Sequence, residues 1–352
     1  MSRRQVPVIV VAGFLGSGKT TLLNHLLRQA SGSRIGVLVN DFGSINIDAM
    51  LIAGQTDGTV SMSNGCMCCS VDADGVEDAL TRLLRPSAQI DAIVIEASGI
   101  AEPRALIRMI TGFADPRLRY GGLVYVVDAA QFADLRVRHP EIDRHIQIAD
   151  LVVVNKTDLV GEAQIADVRA LVAASNDTAP MIATADAVVD PEMLFDARRR
   201  SGDDSAPRHG QLTLDELLAE DSHAHPTSGG EDHRDHLHER YQSVEFVSDA
   251  PMNPRRLAEF LERPPAGCYR IKGVVAFDVP GHRQKFIVHG VGGFVRVERR
   301  AWGGAQRATS IVVIGAGVDP DAVHTALTCA VDDGVPDEHG ILSITRHLVT
   351  AP

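Results

Sequence analysis

An apolar, β-branched run from Val6 to Ala12 leads into Gly13-Phe14-Leu15-Gly16-Ser17-Gly18-Lys19-Thr20-Thr21, and Leu22-Leu23-Asn24-His25-Leu26-Leu27 continues with helical periodicity. Strand, glycine-rich turn and helix in this order restrict the chain to folds that present a helix N-terminus at the end of a buried strand. Successive backbone N–H groups of such a turn can surround phosphate oxygens, and the helix N-terminus adds partial positive charge. Lys19 is placed to reach the β- and γ-phosphates, and Thr20 offers a hydroxyl to Mg²⁺. The spacing predicts a nucleoside triphosphate site formed by Gly13, Gly16, Ser17, Gly18, Lys19, Thr20 and Thr21, with Lys19 also serving catalysis.

A second motif addresses the base. The apolar strand Leu151-Val152-Val153-Val154 ends in Asn155-Lys156-Thr157-Asp158. In an Asn-Lys-x-Asp loop the aspartate accepts hydrogen bonds from N1–H and the exocyclic amine of guanine, whereas adenine leaves that charge unsatisfied. Asn155, Lys156 and Asp158 are therefore expected to select GTP over ATP.

From residue 6 to about 195, short apolar runs alternate with amphipathic segments: Val6–Ala12, Arg34–Asn40, Ala92–Ala97, Leu123–Asp128, Leu151–Asn155 and Met181–Thr184. This alternation predicts an α/β unit, a mainly parallel sheet covered by helices, with ligands at the carboxyl ends of the strands. The pattern lapses between about 199 and 240, where only Leu212–Leu218 suggests a helix and His223, His225, His233, His236 and His238 cluster in polar sequence. Strands are expected again at Ser243–Val247, Cys268–Phe277, Lys285–His289, Phe294–Glu298, Ser310–Ile314 and Ile341–Thr345, with helices at Asn253–Leu261 and Pro320–Val331. The resulting division is a nucleotide unit over 1–198, a flexible histidine-rich linker over 199–240 and a smaller α+β domain over 241–352.

A net charge of −12 over 352 residues leaves no basic surplus to neutralise a nucleic-acid backbone. Small-molecule and protein partners are favoured. No run approaches the ~18 apolar residues of a membrane span, so a cytoplasmic chain is expected. Of five cysteines, three fall in Cys66-Met67-Cys68-Cys69, a spacing suited to a soft metal or to redox chemistry, while Cys268 and Cys329 stand apart as ordinary core or surface residues.

Cys66, Cys68 and Cys69 can supply two or three thiolates to Zn²⁺ or a similar ion, leaving the remaining tetrahedral position to histidine, carboxylate or water. Incomplete ligation by the chain favours a transferable ion, and the histidines of the linker offer a second place for metal to bind. The segment Ile93-Val94-Ile95-Glu96-Ala97-Ser98-Gly99 sets Glu96 at a strand end, where a carboxylate can organise Mg²⁺ or a water, and lets Gly99 bring an N–H near the γ-phosphate. Asp41, after the second strand, is a further candidate to face the ion.

Taken together, the phosphate loop, Asn64-Gly65-Cys66-Met67-Cys68-Cys69, the segment Glu96 to Pro103, Asn155-Lys156-Thr157-Asp158 and Arg270-Ile271-Lys272-Gly273 resemble the CobW-like metallochaperone GTPases, relatives of the urease and hydrogenase maturation GTPases. The resemblance covers nearly the whole chain. It implies a slow GTPase that binds zinc or cobalt at the cysteine motif and delivers it to a metal-dependent client, with nucleotide state controlling release. Where relatives often carry Asn-Glu-Phe-Gly-Glu, this chain has Asn40-Asp41-Phe42-Gly43-Ser44, so Ser44 replaces a carboxylate that can contribute to an accessory metal site. A regulatory GTP-binding protein whose cysteines sense metal or oxidant is the alternative from a different class.

Overall fold

A computed structural model describes residues 5–30, 33–39, 76, 80–81, 83–85, 90–97, 102–196, 242–303, 306–334 and 339–348. Asp41, Ser44, Cys66, Cys68, Cys69, Gly99, the Leu212–Leu218 segment and the histidine cluster lie outside these residues.

The first unit is a six-stranded parallel sheet in the order β2-β3-β1-β4-β5-β6. Its strands are β1 (Val6–Gly13), β2 (Ile35–Val39), β3 (Ala92–Glu96), β4 (Leu118–Asp128), β5 (Leu151–Asn155) and β6 (Met181–Ala183). Each reads as a nearly unbroken apolar run because both faces of a parallel sheet are covered by helices. One face packs Val8, Val10, Ile93, Ile95, Leu123 and Val152 against Leu80, Leu106 and Ile146, and the other packs Ile9, Val11, Val94, Val124 and Val153 against Leu22, Leu23 and Leu26. The helix α1 (Lys19–Gln29) follows β1 on the second face. Strand order reverses at β1, so the crevice at the carboxyl ends of β1, β3 and β4 is the place where this architecture receives a ligand.

The second unit is a five-stranded antiparallel sheet in the order β10-β9-β8-β11-β7. It comprises β7 (Gln242–Ser248), β8 (Cys268–Val275), β9 (Lys285–Val291), β10 (Phe294–Arg300) and β11 (Thr309–Gly315). Ile311 and Val313 face its own helices, while Val312 and Ile314 face the first unit, as two-residue alternation requires. Two of its helices, Pro254–Glu262 and Pro320–Cys329, begin at Asn253-Pro254 and Asp319-Pro320, where the Asn or Asp side chain accepts backbone N–H bonds of the first turn. Proline at the first helical position loses nothing there, because that N–H has no partner within the helix.

One expectation is overturned. Ile341–Thr345 is a helix, not a strand. The β-branched residues favour extended structure locally, but Ile341 and Ile344 are three apart, are both buried and join the cluster of Leu257, Leu261 and Leu327, leaving Leu342 59% exposed. Tertiary packing of an i, i+3 face outweighs intrinsic preference.

The two sheets share a joint. A register shift in β8 pairs Ile314 with Arg270 and Gly315 with Cys268, so Tyr269 is an extra, bulged residue. It points into the first unit, where its hydroxyl donates to Gly121 O at 2.8 Å. Arg296 donates to Leu118 O and Pro116 O, and Arg270 and Lys272 meet Asp196 at 2.6 and 2.9 Å. Burial opposes ionisation of Asp196, yet the charges of Arg270 and Lys272 overcome it and hold the carboxyl well below the usual range. Nearby, burial and then the neighbouring Arg270 charge lower Arg119 to about 9, and burial followed by the Arg119 and Arg270 charges lowers His289 to about 3. His289 is thus neutral at physiological pH.

Asp150 sits at the same joint. It accepts hydrogen bonds from the Tyr120 hydroxyl at 2.6 Å and the Leu123 N–H at 2.8 Å, and Gly292 approaches so closely that a Cβ there would lie 1.4 Å from Asp150 Oδ1. Burial raises this carboxyl to about 6 against an ordinary 3.8. Between these values the unfolded chain has released the proton that the folded chain still holds, so this residue's contribution to stability falls as pH rises from about 4 to about 6 and is flat above. Asp150→Asn is expected to gain on the native protein by about 3 kcal/mol across that window, with no further gain above it, in denaturant melts recorded at successive pH values.

Candidate functional site

The glycine-rich turn lies where its sequence places it, between β1 and α1. Gly13, Gly16 and Gly18 all have positive φ, and Gly18 caps α1 in the left-handed region with φ 107°. A Cβ at Gly18 would meet Asn155 Nδ2 at 2.2 Å, so glycine is required both for conformation and for the approach of β5. Lys19, 7% exposed, turns back over the loop and donates from Nζ to Gly13 O at 3.1 Å and Phe14 O at 3.3 Å. Its charge is thereby held above the turn with carbonyl partners that phosphate oxygens can replace. Ser17 is buried with an Oγ that finds no hydrogen-bond partner among the described residues, and Thr21 is exposed on the first turn of α1.

Glu96 ends β3, next to β1, and is 3% exposed. The Thr20 hydroxyl donates to its Oε1 at 3.3 Å, across 76 positions of sequence. A hydroxyl and a buried carboxylate side by side are hard oxygen donors, the set that Mg²⁺ takes when phosphates supply its other ligands. The residues present therefore fit that ion.

Asn155 binds the two halves of the site to each other. Its Nδ2 donates to Ser17 O at 2.9 Å and its Oδ1 accepts the Ala187 N–H at 2.7 Å, both buried. The phosphate loop, the end of β5 and the loop after β6 meet at this one amide. Lys156 follows in a left-handed conformation, φ 60°, and its N–H donates to Ala185 O at 3.3 Å. Asp158 is exposed in the 3₁₀ turn Thr157–Leu159. Phosphate loop and Asn-Lys-x-Asp turn thus lie at the same carboxyl edge of the sheet.

Two parts of this constellation were not visible in the motifs. The loop Thr184 to Ala187 packs beside the Asn155–Lys156 turn, with Thr184 Oγ1 accepting the Val188 N–H and buried Ala187 held at φ 53°. Asp128, at the end of β4, pairs with Lys156 at 2.7 Å. Only the position of each at or just past a strand end could have signalled them. Neither isolated cysteine joins the site: Cys268 is buried, with its thiol pushed up to about 11 by burial, and Cys329 is exposed. Among the described residues no group of three or more His, Cys, Asp or Glu is placed to hold a metal, and no helix is long and apolar enough to cross a membrane.

A lysine-bearing glycine turn between buried strand and helix, set on a parallel sheet beside a strand-end carboxylate, defines the class as a P-loop nucleotide-binding protein. Residues 7–183 match the family described as CobW/HypB/UreG, nucleotide-binding domain, and residues 241–331 match the cobalamin synthesis protein CobW C-terminal domain. The chain belongs to this CobW family. Its relatives include a zinc chaperone CobW of Sinorhizobium sp, 32% identical over 93% of this chain and 98% of the relative. Another zinc chaperone CobW, from Pseudomonas aeruginosa, is 31% identical over 93% of this chain and 92% of the relative. Among solved structures, the Zn(II)-bound YjiA GTPase from E. coli is 22% identical, with coverage of 94% of this chain and 100% of that one and a TM-score of 0.45.

The bridging amide yields a stability test. Asn155→Ala leaves the buried Ala187 N–H and Ser17 carbonyl without these partners, a loss of about 2–4 kcal/mol. Denaturant melts of the nucleotide-free protein are expected to show it.

Proposed function

We propose that this GTPase of the CobW family is a zinc metallochaperone. It binds zinc, or cobalt, through Cys66, Cys68 and Cys69 and hands the ion to a client protein under control of GTP hydrolysis. The observation that carries the nucleotide half is the Asn155 amide joining the phosphate loop to the base-side loop, with Lys19 and the Thr20–Glu96 pair beside it. The metal half is supported by the Cys-x-Cys-Cys sequence and by relatives named zinc chaperone.

In this reading the N–H groups of Gly13 to Thr21 hold the phosphates, and Lys19 exchanges its carbonyl partners for β/γ oxygens whose charge grows as the γ-phosphoryl group departs. Thr20, Glu96 and Asp41 would hold Mg²⁺, which when bound neutralises phosphate charge. Glu96 also positions the attacking water, Gly99 supplies an N–H to the γ-phosphate, and Asp158 accepts from guanine N1–H and its exocyclic amine. The nucleotide belongs to the unit over 1–198, the linker spans 199–240, and the domain over 241–352 completes the chaperone.

The cysteines lie in sequence between the phosphate loop and Glu96, the interval in which γ-phosphate contacts order switch segments. GTP is accordingly expected to change the geometry of the thiolates, and hydrolysis to release the ion.

Three measurements test this. Lys19→Ala should lower GTP turnover at least about a hundredfold and weaken triphosphate binding, as loss of a phosphate-stabilising cation does. Replacing Cys66, Cys68 and Cys69 by serine should abolish tight zinc binding while GTP affinity stays native; undiminished zinc stoichiometry would move the metal site to the linker histidines. Zinc affinity should differ between a non-hydrolysable GTP analogue and GDP, and zinc should pass to an apo-client more readily after hydrolysis. Equal affinities would end the coupling, and nucleotide-dependent binding without transfer would favour the sensing role.

A further inference from the structure

Lys156 belongs to the base-reading turn, yet its ammonium is directed along the sheet to the neighbouring strand. Nζ donates to Asp128 Oδ2 at 2.7 Å. The Asp128 side chain is 4% exposed, against 29% for Lys156, and its Oδ1 accepts the Ala130 N–H at 2.9 Å, so the carboxylate is fixed before the lysine arrives. The Lys156 backbone is equally fixed, through its N–H to Ala185 O and its carbonyl to the Leu159 N–H. Between these anchors the four-carbon stem crosses from the end of β5 to the end of β4, two strand ends already tied by the Ala129 N–H to Asn155 O at 2.9 Å.

In the sheet order β4 stands between β1, which carries the phosphate loop, and β5, which carries Asp158. The stem therefore lies between the phosphate-binding and base-reading ends of the site. An ion pair kept for stability alone does not require a lysine in the left-handed region, a conformation that costs on the order of 1 kcal/mol or more. Long cationic side chains commonly lay their methylenes along flat apolar surfaces and their charge near aromatic faces.

We propose that Asp128 is a positioning residue for nucleotide recognition: it anchors the Lys156 ammonium so that the lysine stem forms one wall of the slot for the guanine ring. The inference rests on the GTP-binding reading given above and adds to it a residue outside the recognition motif.

The test is a double-mutant cycle on the full chain with Asp128→Asn, Lys156→Met and the pair, using a fluorescent GDP analogue for affinity and steady-state GTP hydrolysis for kcat and KM. Asp128→Asn should weaken GDP binding and raise KM for GTP by about tenfold, as loss of a charge-assisted hydrogen bond allows, with kcat at saturating GTP little changed. In the Lys156→Met background the same substitution should cost almost nothing, because Asp128 acts through that lysine. Native affinity in Asp128→Asn, an undiminished loss in the Lys156→Met background, or a fall in kcat with affinity kept would overturn the assignment. If Asp128→Asn does not fold, Lys156→Ala decides alone, since it removes the stem while leaving Asp128 and its Ala130 bond in place: native GDP affinity in that variant refutes the wall. A native chain that binds no guanine nucleotide sinks the GTP reading and this inference together, whereas equal binding by native chain and variants sinks the inference only.

Discussion

At the carboxyl edge of the parallel sheet, one buried side-chain amide ties the phosphate loop to the loops that follow β5 and β6. Asn155 offers one donor to Ser17 O and takes one donor from Ala187, so three loops that are remote in sequence are held at fixed distances. Buried amides of this kind are strong constraints, because leaving either partner without a replacement costs more than the bond itself is worth in water. Glycine at position 18 follows from it, since no side chain fits between the phosphate loop and that amide. The left-handed backbone of Lys156 and Ala187 sits on either side of the same contact. Strain placed beside a rigid tether is tolerated because the tether determines the geometry around it.

The second constraint is electrostatic and lies at the joint between the sheets. Arg119, Arg270, Lys272 and His289 converge around Asp196, and among the described residues that carboxylate is the acid that the two cations of β8 grip directly. A polar joint of this sort is specific more than it is strong, since desolvation offsets much of the attraction. Tyr269, Val291, Val312 and Ile314 share one buried apolar cluster with Leu22, Leu23, Val189 and Phe195, and this cluster supplies the adhesion. The bulge at Tyr269 lets Tyr269 and Arg270, neighbours in sequence, both turn toward the first unit. The sequence block Arg270-Ile271-Lys272-Gly273 thereby acquires a physical role, with Ile271 in the second core and its two cations at the joint.

Much of this was legible in advance, for reasons that differ by element. Strands buried on both faces announce themselves as apolar runs, and β1, β3 and β5 were readable to within a residue or two. Ile341–Thr345 was misread because five residues are too few to separate periods of 2 and 3.6, and the neighbouring helix that decides between them lies far off in sequence. The phosphate loop and the Asn-Lys-x-Asp turn carry their chemistry in contiguous residues, so both could be placed from the chain alone. Asn155 as a bridge, Asp128 as the partner of Lys156 and the Thr20–Glu96 contact are long-range pairings that no local pattern encodes. The cysteine motif rests on sequence and kinship, since its residues fall outside those the structure describes.

The Asp196 grip has a consequence for how this architecture varies. Asp196 is fastened to β8, and β7 begins at Gln242 on the outer margin of the same sheet, so residues 197–241 leave and return at points secured by other contacts. For a chain closed between two fixed ends, doubling the contour adds only about 0.6 kcal/mol of closure entropy. By that arithmetic, a change in the length of sequence between Asp196 and Gln242 leaves the contacts of Asp196, Tyr269 and Arg296 to hold the sheet junction.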